Sequence, residues 1–536
     1  MTNTIEDITN DAKVIMLVGS NPEVAHPVFG MQIRGAAQRG AKIIVVDPRD
    51  IDLAKNADIH LRLKPGTNVA FINGMMHILI EEDLYDKEFV EKRTENFEAL
   101  KETVKKYTPE YVSKICEIDP DLLREAARMY ATSSASAILY CLGVTEHTTG
   151  TEGVMSLANL AMMTGQIGRP GCGVNPIRGQ NNVQGACDMG ASPNQFTGYQ
   201  NIDRPEVLDK FESAWHTKLN PVIGKKATEC FELMPEGKIK GLFIFGEDPV
   251  VTDPNTAHVI HALESLDFLV VDELFMTETA KLADVILPGR SYAEKEGTFT
   301  NTERRVQRVR KAVEIAGDTK PDTWIFTEIM NRMGYYQPHM TPAEIMDEIA
   351  SLTPSFAGIS HARLDSEEVG GRGLQWPCTD KYHHGTRIMH VGRFARGLGY
   401  FHPAEYKPSK ELPDSEFPLM MMTGRILYHY NACAMTGKTD EINNNWGESF
   451  IQINTKDAEK LKIENGEMVK ISSRRGTIKS KAEVSDITNP GQVWMPFHYV
   501  EGNANWLTTN ELDSISKTPE YKVCAVKVEK IRKRKR

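Results

Sequence analysis

No Cys-x-x-Cys pair occurs anywhere along this chain, so no zinc or iron–sulfur ligand set is legible in it. Its eight cysteines, Cys116, Cys141, Cys172, Cys187, Cys230, Cys378, Cys433 and Cys524, are dispersed through the sequence. That is the pattern of small buried thiols in a reducing compartment, not of a disulfide framework. Basic residues are in deficit: 63 Lys and Arg against 73 Asp and Glu leave a formal charge of -10. Nucleic acid is therefore not an expected partner, because phosphate binding needs a basic field. No apolar run approaches the ~20 residues of a membrane span, and MTNTIEDITNDAK has neither the basic start nor the apolar centre of a secretory leader. The expectation is a cytoplasmic protein with no direct membrane insertion. Finally, Gly-x-Gly-x-x-Gly is missing from its nucleotide-like turns, which disfavours NAD and FAD.

What is present is one short unit written twice. The first copy reads VIMLVGSNPEVAHPV, KIIVVDPRD and NADIHLRLKPGTN; the second reads GLFIFGEDPVVTDPN and FLVVDELFMTETAKLADVILPG. In each, an apolar β-branched run stops at a glycine, Gly19 or Gly246, where backbone N–H groups can approach a ligand. A polar turn follows, Ser20-Asn21-Pro22 or Glu247-Asp248-Pro249, and a second strand ends in Asp47 or Asp272. An acidic residue there commonly holds a ribose or base in doubly wound sheets. Ala57-Asp58 and Ala283-Asp284 then recur before a third short strand. A single copy reads equally well as an ordinary βαβ unit whose turn binds nothing. Two matched copies point to a cofactor with two nucleotide arms.

At 536 residues the length prior gives about three or four domains. Residues 1–180 read as a first Rossmann-like domain, with amphipathic helices in DKEFVEKRTENFEALKETVKKY and DPDLLREAARMYATS. Residues 181–292 carry the second copy, 293–385 mixed α/β connecting segments, and 386–536 short strands that suggest a C-terminal β-barrel, with Glu464-Asn465-Gly466 as a tight turn. The fold class is therefore α/β, two pseudo-symmetric Rossmann-like units plus a barrel. The basic end, Lys530 to Arg536, reads as a solvated, frayed tail.

Four stretches carry candidate chemistry. Arg178 sits in Asn175-Pro176-Ile177-Arg178-Gly179-Gln180-Asn181-Asn182, and an arginine fork matches the two oxygens of a small carboxylate or a phosphate. An arginine that braces its own loop fits the same residues, and both readings stand at this point. Thr423-Gly424-Arg425, with His429 and Asn431, follows the strand PLMMM and makes an anion or base pocket, although a lone histidine is commonly structural. The run Asn301 to Gln307, NTERRVQ, pairs its charges internally by default. Asn503 and Asn505 offer amides near the end of the chain.

GVNPIRGQNNVQGACDMG, TGRILYHYN followed by MTG, NTERRVQ, and GNANWLT followed by SKTPEYKVCAV are the stretches in which this chain, from residue 3 to about 528, resembles the catalytic alpha subunits of molybdenum- or tungsten-dependent formate dehydrogenases. These belong to the dimethyl sulfoxide reductase superfamily. The resemblance implies a double-psi type barrel and a pair of molybdopterin guanine dinucleotides (bis-MGD) held between the two βαβ units. It implies that Gly19, Asn21, Asp47 and Arg49 meet one dinucleotide, and Gly246, Asp248, Asp272 and Glu273 the other. Gly165, Gln166, Gln180, Arg425 and His429 would close over the pterins, Asn505 would add a contact from the barrel, and Arg178 would orient formate beside the metal. Formate and carbon dioxide are the implied substrate and product. Iron–sulfur electron-transfer or diaphorase subunits are the implied partners.

The departure from that family lies at the front. Its members begin with a cysteine-bound [4Fe–4S] domain and a selenocysteine or cysteine metal ligand beside a histidine, and this sequence has neither. Met1 falls on what is normally an internal methionine, so the expected metal ligand lies upstream of it. The expectation is a reading frame opened after an in-frame UGA selenocysteine codon; a genuine truncation or a split gene competes with it. A related enzyme such as a nitrate reductase, or an inactive scaffold subunit that keeps the fold, are the alternative functions.

Overall fold

The computed structural model describes residues 1–531. Contacts divide the chain into two compact units: Met1–Ile177 with Pro249–Ile260 and the chain from Ile388 onward, and Arg178–Asp248 with His261–Arg387.

The first unit is organised by a five-stranded sheet. Its strands β1 (Val14–Val18), β2 (Lys42–Val46), β3 (Ile59–Leu61), β4 (Ser136–Tyr140) and β5 (Gly173–Pro176) lie in the order β3-β2-β1-β4-β5, every pair parallel. Both faces are covered, which is why VIMLV is apolar at every position instead of alternating. Alternate residues serve opposite cores. Ile15 and Leu17 pack with Phe29 and Ile33 of helix Pro27–Gln38, and Met16 and Val18 with Phe71, Ile72, Leu123 and Leu157 of the long helices on the other face. The same unit contains a closed six-stranded barrel, Leu419–Gly424, Phe450–Ile453, Met468–Ser472, Thr477–Val484, Gln492–Pro496 and Cys524–Lys530. It is filled by Met421, Ile451, Val469, Ile471, Val493 and Val526.

The second unit contains β6 (Gly241–Phe245), β7 (Phe268–Glu273) and β8 (Val285–Pro288), parallel and in the order β8-β7-β6. This repeats β3-β2-β1 down to single hydrogen bonds. Gly19 N–H donates to Val46 O at 2.8 Å, and Gly246 N–H to Asp272 O at 2.9 Å. The recurring Ala-Asp pair also gains a reason: the Asp58 carboxylate accepts from Ile43 N–H at 2.8 Å and the Asp284 carboxylate from Leu269 N–H at 2.7 Å. Each aspartate closes the start of the neighbouring strand. The second sheet stops at three strands, with β6 at its edge. An antiparallel sheet of Gly297–Thr300, Arg305–Val309 and Leu374–Gln375 completes this unit over a core that includes Val306, Met346, Phe356 and Leu374.

Each of the two units is assembled from separated stretches of the chain. Pro249–Ile260 joins the first because Asn503 and Asn505 donate side-chain N–H groups to Val251 O at 3.0 and 2.8 Å. Residues 386–418, expected in the barrel, precede its first strand; helix asparagines tie this stretch to the long helices, with Asn159 donating to His402 O at 2.7 Å and Asn73 to Ala404 O at 2.8 Å. Of the expected frayed tail, Lys530 ends the last strand and pairs with Glu467 at 2.8 Å, and residues 532–536 lie outside the described residues. Among the described residues no helix is long and apolar enough to cross a membrane.

One glycine is fixed by this architecture. Gly19 has φ +54°, and a Cβ placed on it would stand 2.6 Å from the Gly143 backbone. Gly19→Ala is expected to lower the thermal midpoint by about 4 °C or more; an unchanged midpoint in differential scanning calorimetry would contradict the close packing of the two turns.

Candidate functional site

In the first sheet the chain leaves β1 toward β2 and β3 on one side, while β4 and β5 lie on the other. The carboxyl ends of β1 and β4 therefore flank a topological switch point, the place where such sheets open a ligand crevice. Gly143 N–H donates to Gly19 O at 3.0 Å, so the two turns meet backbone to backbone as the floor of a cleft. Gly19, Ser20 and Asn21 after β1, Asp47 to Arg49 after β2, and Cys141 to Gly143 after β4 line it. His147, Thr423 to Arg425, Trp494, Phe497 and Lys522 complete it.

The electrostatics of this lining suit a long, anionic, aromatic ligand. Ser20 Oγ, Asn21 Oδ1, Arg49 Nε and Arg425 Nε are buried without a hydrogen-bond partner in the chain, and all belong to residues lining the cleft, whereas His147 Nδ1 lies 3.6 Å from Glu520 Oε1. Buried polar atoms in native proteins are almost always satisfied, and these four leave donors and acceptors in the cleft that a polar ligand could meet. The Arg49 guanidinium lies 4.0 Å over the Trp494 ring and donates to Gln452 Oε1 at 2.9 Å. Burial draws it down to about 10, against the opposing pull of Asp47 and Glu483. Burial pushes Asp47 above the usual carboxylate range, opposed by the Arg49 N–H that donates to it at 2.9 Å. Arg425 sits 5.7 Å over Phe497, and Lys522 bridges Glu146 at 2.5 Å and Thr423 O at 3.0 Å. A carboxylate for a base, guanidinium groups for a pyrophosphate and aromatic faces for stacking are the parts that a dinucleotide requires.

The second copy presents the equivalent end of its sheet. Gly246 has φ +61°, with nothing within 4 Å of an added Cβ, in contrast to the crowded Gly19. Asp248 is buried and accepts from Thr279 N–H at 2.9 Å and Thr279 Oγ1 at 2.7 Å. Asp272 Oδ2 is buried without a partner, and burial, reinforced by Asp322 and opposed by Lys295, pushes its carboxyl up to about 6. Burial also raises Glu273, whose Oε1 accepts from Leu274 N–H at 2.6 Å. In the loop opening this unit, Arg178 N–H donates to Thr302 Oγ1 and its Nε to Gln184 Oε1, both at 2.9 Å, and Gln180 lies half-buried two residues on.

Four of the sequence-derived residues have other employment. Gly165 packs against Asp86, whose Oδ2 stands 2.5 Å from an added Cβ. Gln166 accepts from Ser136 N–H and donates to Ser133 O, both at 2.9 Å, which locks the start of β4. Asn505 spends its amide on Val251 O and Thr252 O. Both ring nitrogens of buried His429 are engaged, with Thr436 Oγ1 at 3.1 Å and Trp446 O at 2.7 Å. None of the four lines the cleft, whereas Arg425 of the same stretch as His429 does. In NTERRVQ, Arg305 pairs with Glu303 at 2.8 Å as expected, but Arg304 is buried and reaches Trp376 O and Thr386 O instead. His147, Trp494, Phe497 and Lys522 were not singled out from sequence. His147 had a readable signal, since it follows a strand that ends at a glycine turn.

Asp272 gives a stability test. Its folded-state pKa is raised, so the stability it contributes is full below its unfolded value of about 4 and is lost as pH rises through about 6. Asp272→Asn in the cofactor-free protein should raise the melting temperature above pH 6 and leave it unchanged below about pH 4. A variant no more stable at pH 7 would contradict the raised, buried carboxylate.

Comparison with known proteins agrees with this geometry. Residues 1–332 match the family described as "Molybdopterin oxidoreductase", and residues 419–525 match "Molydopterin dinucleotide binding domain". The chain is 50% identical to "F420-dependent formate dehydrogenase subunit alpha" of Methanocaldococcus jannaschii, over 99% of this chain and 78% of that one. It is 43% identical to "Formate dehydrogenase H" of Escherichia coli, over 99% and 74%. Among solved structures, acetylene hydratase from Pelobacter acetylenicus has the same fold, with a TM-score of 0.74 at 20% identity over 98% of this chain and 78% of that one. The chain belongs to the molybdopterin oxidoreductase family, within the dimethyl sulfoxide reductase superfamily and on its branch of formate dehydrogenase alpha subunits.

Proposed function

We propose that this chain is the catalytic subunit that oxidises formate to carbon dioxide, or runs the reverse reaction, with bis-MGD and molybdenum or tungsten. The observation that carries the reading is Arg178: a half-buried guanidinium, fixed at its backbone by Thr302 and at Nε by Gln184, in a chain half identical to a formate dehydrogenase alpha subunit. Its charge and planar fork suit the two oxygens of formate. The overall reaction takes HCOO⁻ to CO₂ with release of one proton and two electrons, and the metal centre, when bound, supplies the site that accepts those electrons. The protein's part is to bind and orient. Asn21, Asp47, Arg49 and Arg425 would hold one dinucleotide, and Gly246, Asp248, Asp272 and Glu273 the other. Gln180, beside Arg178, would meet a pterin. Gly165, Gln166, His429 and Asn505 would support these elements, a reading favoured by the hydrogen bonds of Gln166, His429 and Asn505 and by the packing of Gly165 on Asp86.

Among the described residues no three His, Cys, Asp or Glu side chains converge as a metal site, and this chain spans 78% of the length of its methanogen relatives. Electrons would pass to iron–sulfur or diaphorase subunits in the cytoplasm. F420, named in those relatives, is the acceptor to test first.

In the complete, cofactor-loaded enzyme, Arg178→Ala should reduce kcat/KM for formate by about 10- to 100-fold, followed as formate-driven reduction of a viologen dye, with metal content unchanged. Unaltered formate kinetics would remove Arg178 from the site, and turnover of nitrate in place of formate would overturn the substrate.

A further inference from the structure

Arg178 does not set its own direction. Its Nε donates to Gln184 Oε1 at 2.9 Å. The Gln184 amide is in turn held, because its Nε2 donates to Asp188 Oδ1 at 2.7 Å and to the Tyr199 hydroxyl at 2.9 Å. Gln184 and Asp188 are four residues apart on helix Val183–Asp188, the spacing that brings an amide and a carboxylate together on one face. Asp188 is completely buried. It accepts twice more, from Tyr199 Oη at 2.8 Å and from the Trp376 indole N–H at 2.6 Å.

The donor and acceptor order admits one solution. Arg178 and Trp376, at the two ends of this chain of bonds, can only donate. An ionised Asp188 can only accept, so Gln184 must turn its NH₂ toward Asp188, leaving its carbonyl oxygen for Arg178. With the carboxylate neutralised or replaced by an amide, the Gln184 side chain is free to turn over and present N–H to N–H at Arg178. Trp376 is itself braced: Arg304 lies 5.6 Å over its ring and donates to its carbonyl oxygen. Burial pushes Asp188 up from the usual carboxylate range, opposed by Gln184, Tyr199 and Trp376 as donors, with the Arg178 charge adding to them.

We propose that Asp188 is a positioning residue for the substrate carboxylate, which acts through the amide of Gln184 to fix the plane in which Arg178 presents its guanidinium. This rests on the reading of Arg178 as the formate-binding residue. Asp188 touches neither substrate nor cofactor in this account; it selects one of two amide orientations, and the arginine follows.

The test uses the complete, cofactor-loaded enzyme with formate and a viologen dye. Asp188→Asn should raise the KM for formate about tenfold, with the KM for the dye and the metal content unchanged. Tyr199→Phe, which deletes one hydroxyl and little volume, should raise it less. The decisive variant adds Gln184→Glu to Asp188→Asn. A carboxylate at position 184 accepts from both neighbours, so the formate KM should return to within about threefold of the parent. An unchanged KM in Asp188→Asn, while Arg178→Ala is impaired, overturns the positioning role alone. Loss of cofactor in Asp188→Asn without recovery in the double variant assigns Asp188 to folding and also overturns it. If Arg178→Ala itself leaves formate kinetics intact, the functional reading fails first and the two failures are told apart.

Discussion

The constraint on which the cleft depends is the meeting of two backbones, Gly19 after β1 and Gly143 after β4, joined by a 3.0 Å hydrogen bond. No side chain fits between them, since a Cβ on either would come within 2.6 Å of the other's backbone. That contact ties the ends of adjacent parallel strands whose onward connections diverge, and the divergence makes the crevice. The rest of the lining then follows. The arginine after β2 lies over the Trp494 ring, the barrel strand ending at Gly424 brings Arg425, and Lys522 fastens that strand through Thr423 O.

The two copies show the same backbone physics with different surroundings. Both place a glycine of positive φ after the first strand, both bond it across to the second strand, and both use an aspartate of an Ala-Asp pair to bond the N–H of that strand's second residue. In the first copy a second turn crowds the glycine, and the ends of a five-stranded sheet line the cleft together with residues of the barrel. In the second, the glycine is open and three strands end at β6. The carboxylates differ accordingly. Asp47 has Arg49 against it, whereas Asp272 has Asp322 nearby and is held near 6.

Much of this was legible in the sequence because period and punctuation carry it. The continuous apolar strands, the glycine turns, Asp47 and Asp272, and the barrel's short strands are local signals, and the repeat made them stronger together. The unit boundaries were not legible, since Pro249–Ile260 is assigned to the first unit by asparagine side chains some 250 residues later, and no local pattern records such a bond. Asn505 was read as an amide placed for hydrogen bonding and Gln166 came from the family resemblance, but a sequence cannot say whether an amide faces a ligand or a buried carbonyl. Trp494 and Phe497 were missed for the complementary reason: an aromatic residue in a barrel strand or just after it reads as core, and only the fold shows that Arg49 and Arg425 lie over their rings.

The central claim is that the crevice between the ends of β1 and β4 holds a dinucleotide. Hydrogen–deuterium exchange on the purified protein, compared before and after release of its cofactor, reads this at peptide resolution. The account predicts that release deprotects Gly19–Asn21, Asp47–Arg49, Cys141–Gly143 and Thr423–Arg425 together, while the barrel core strands stay unchanged. Equal protection of those four segments in both states would contradict it.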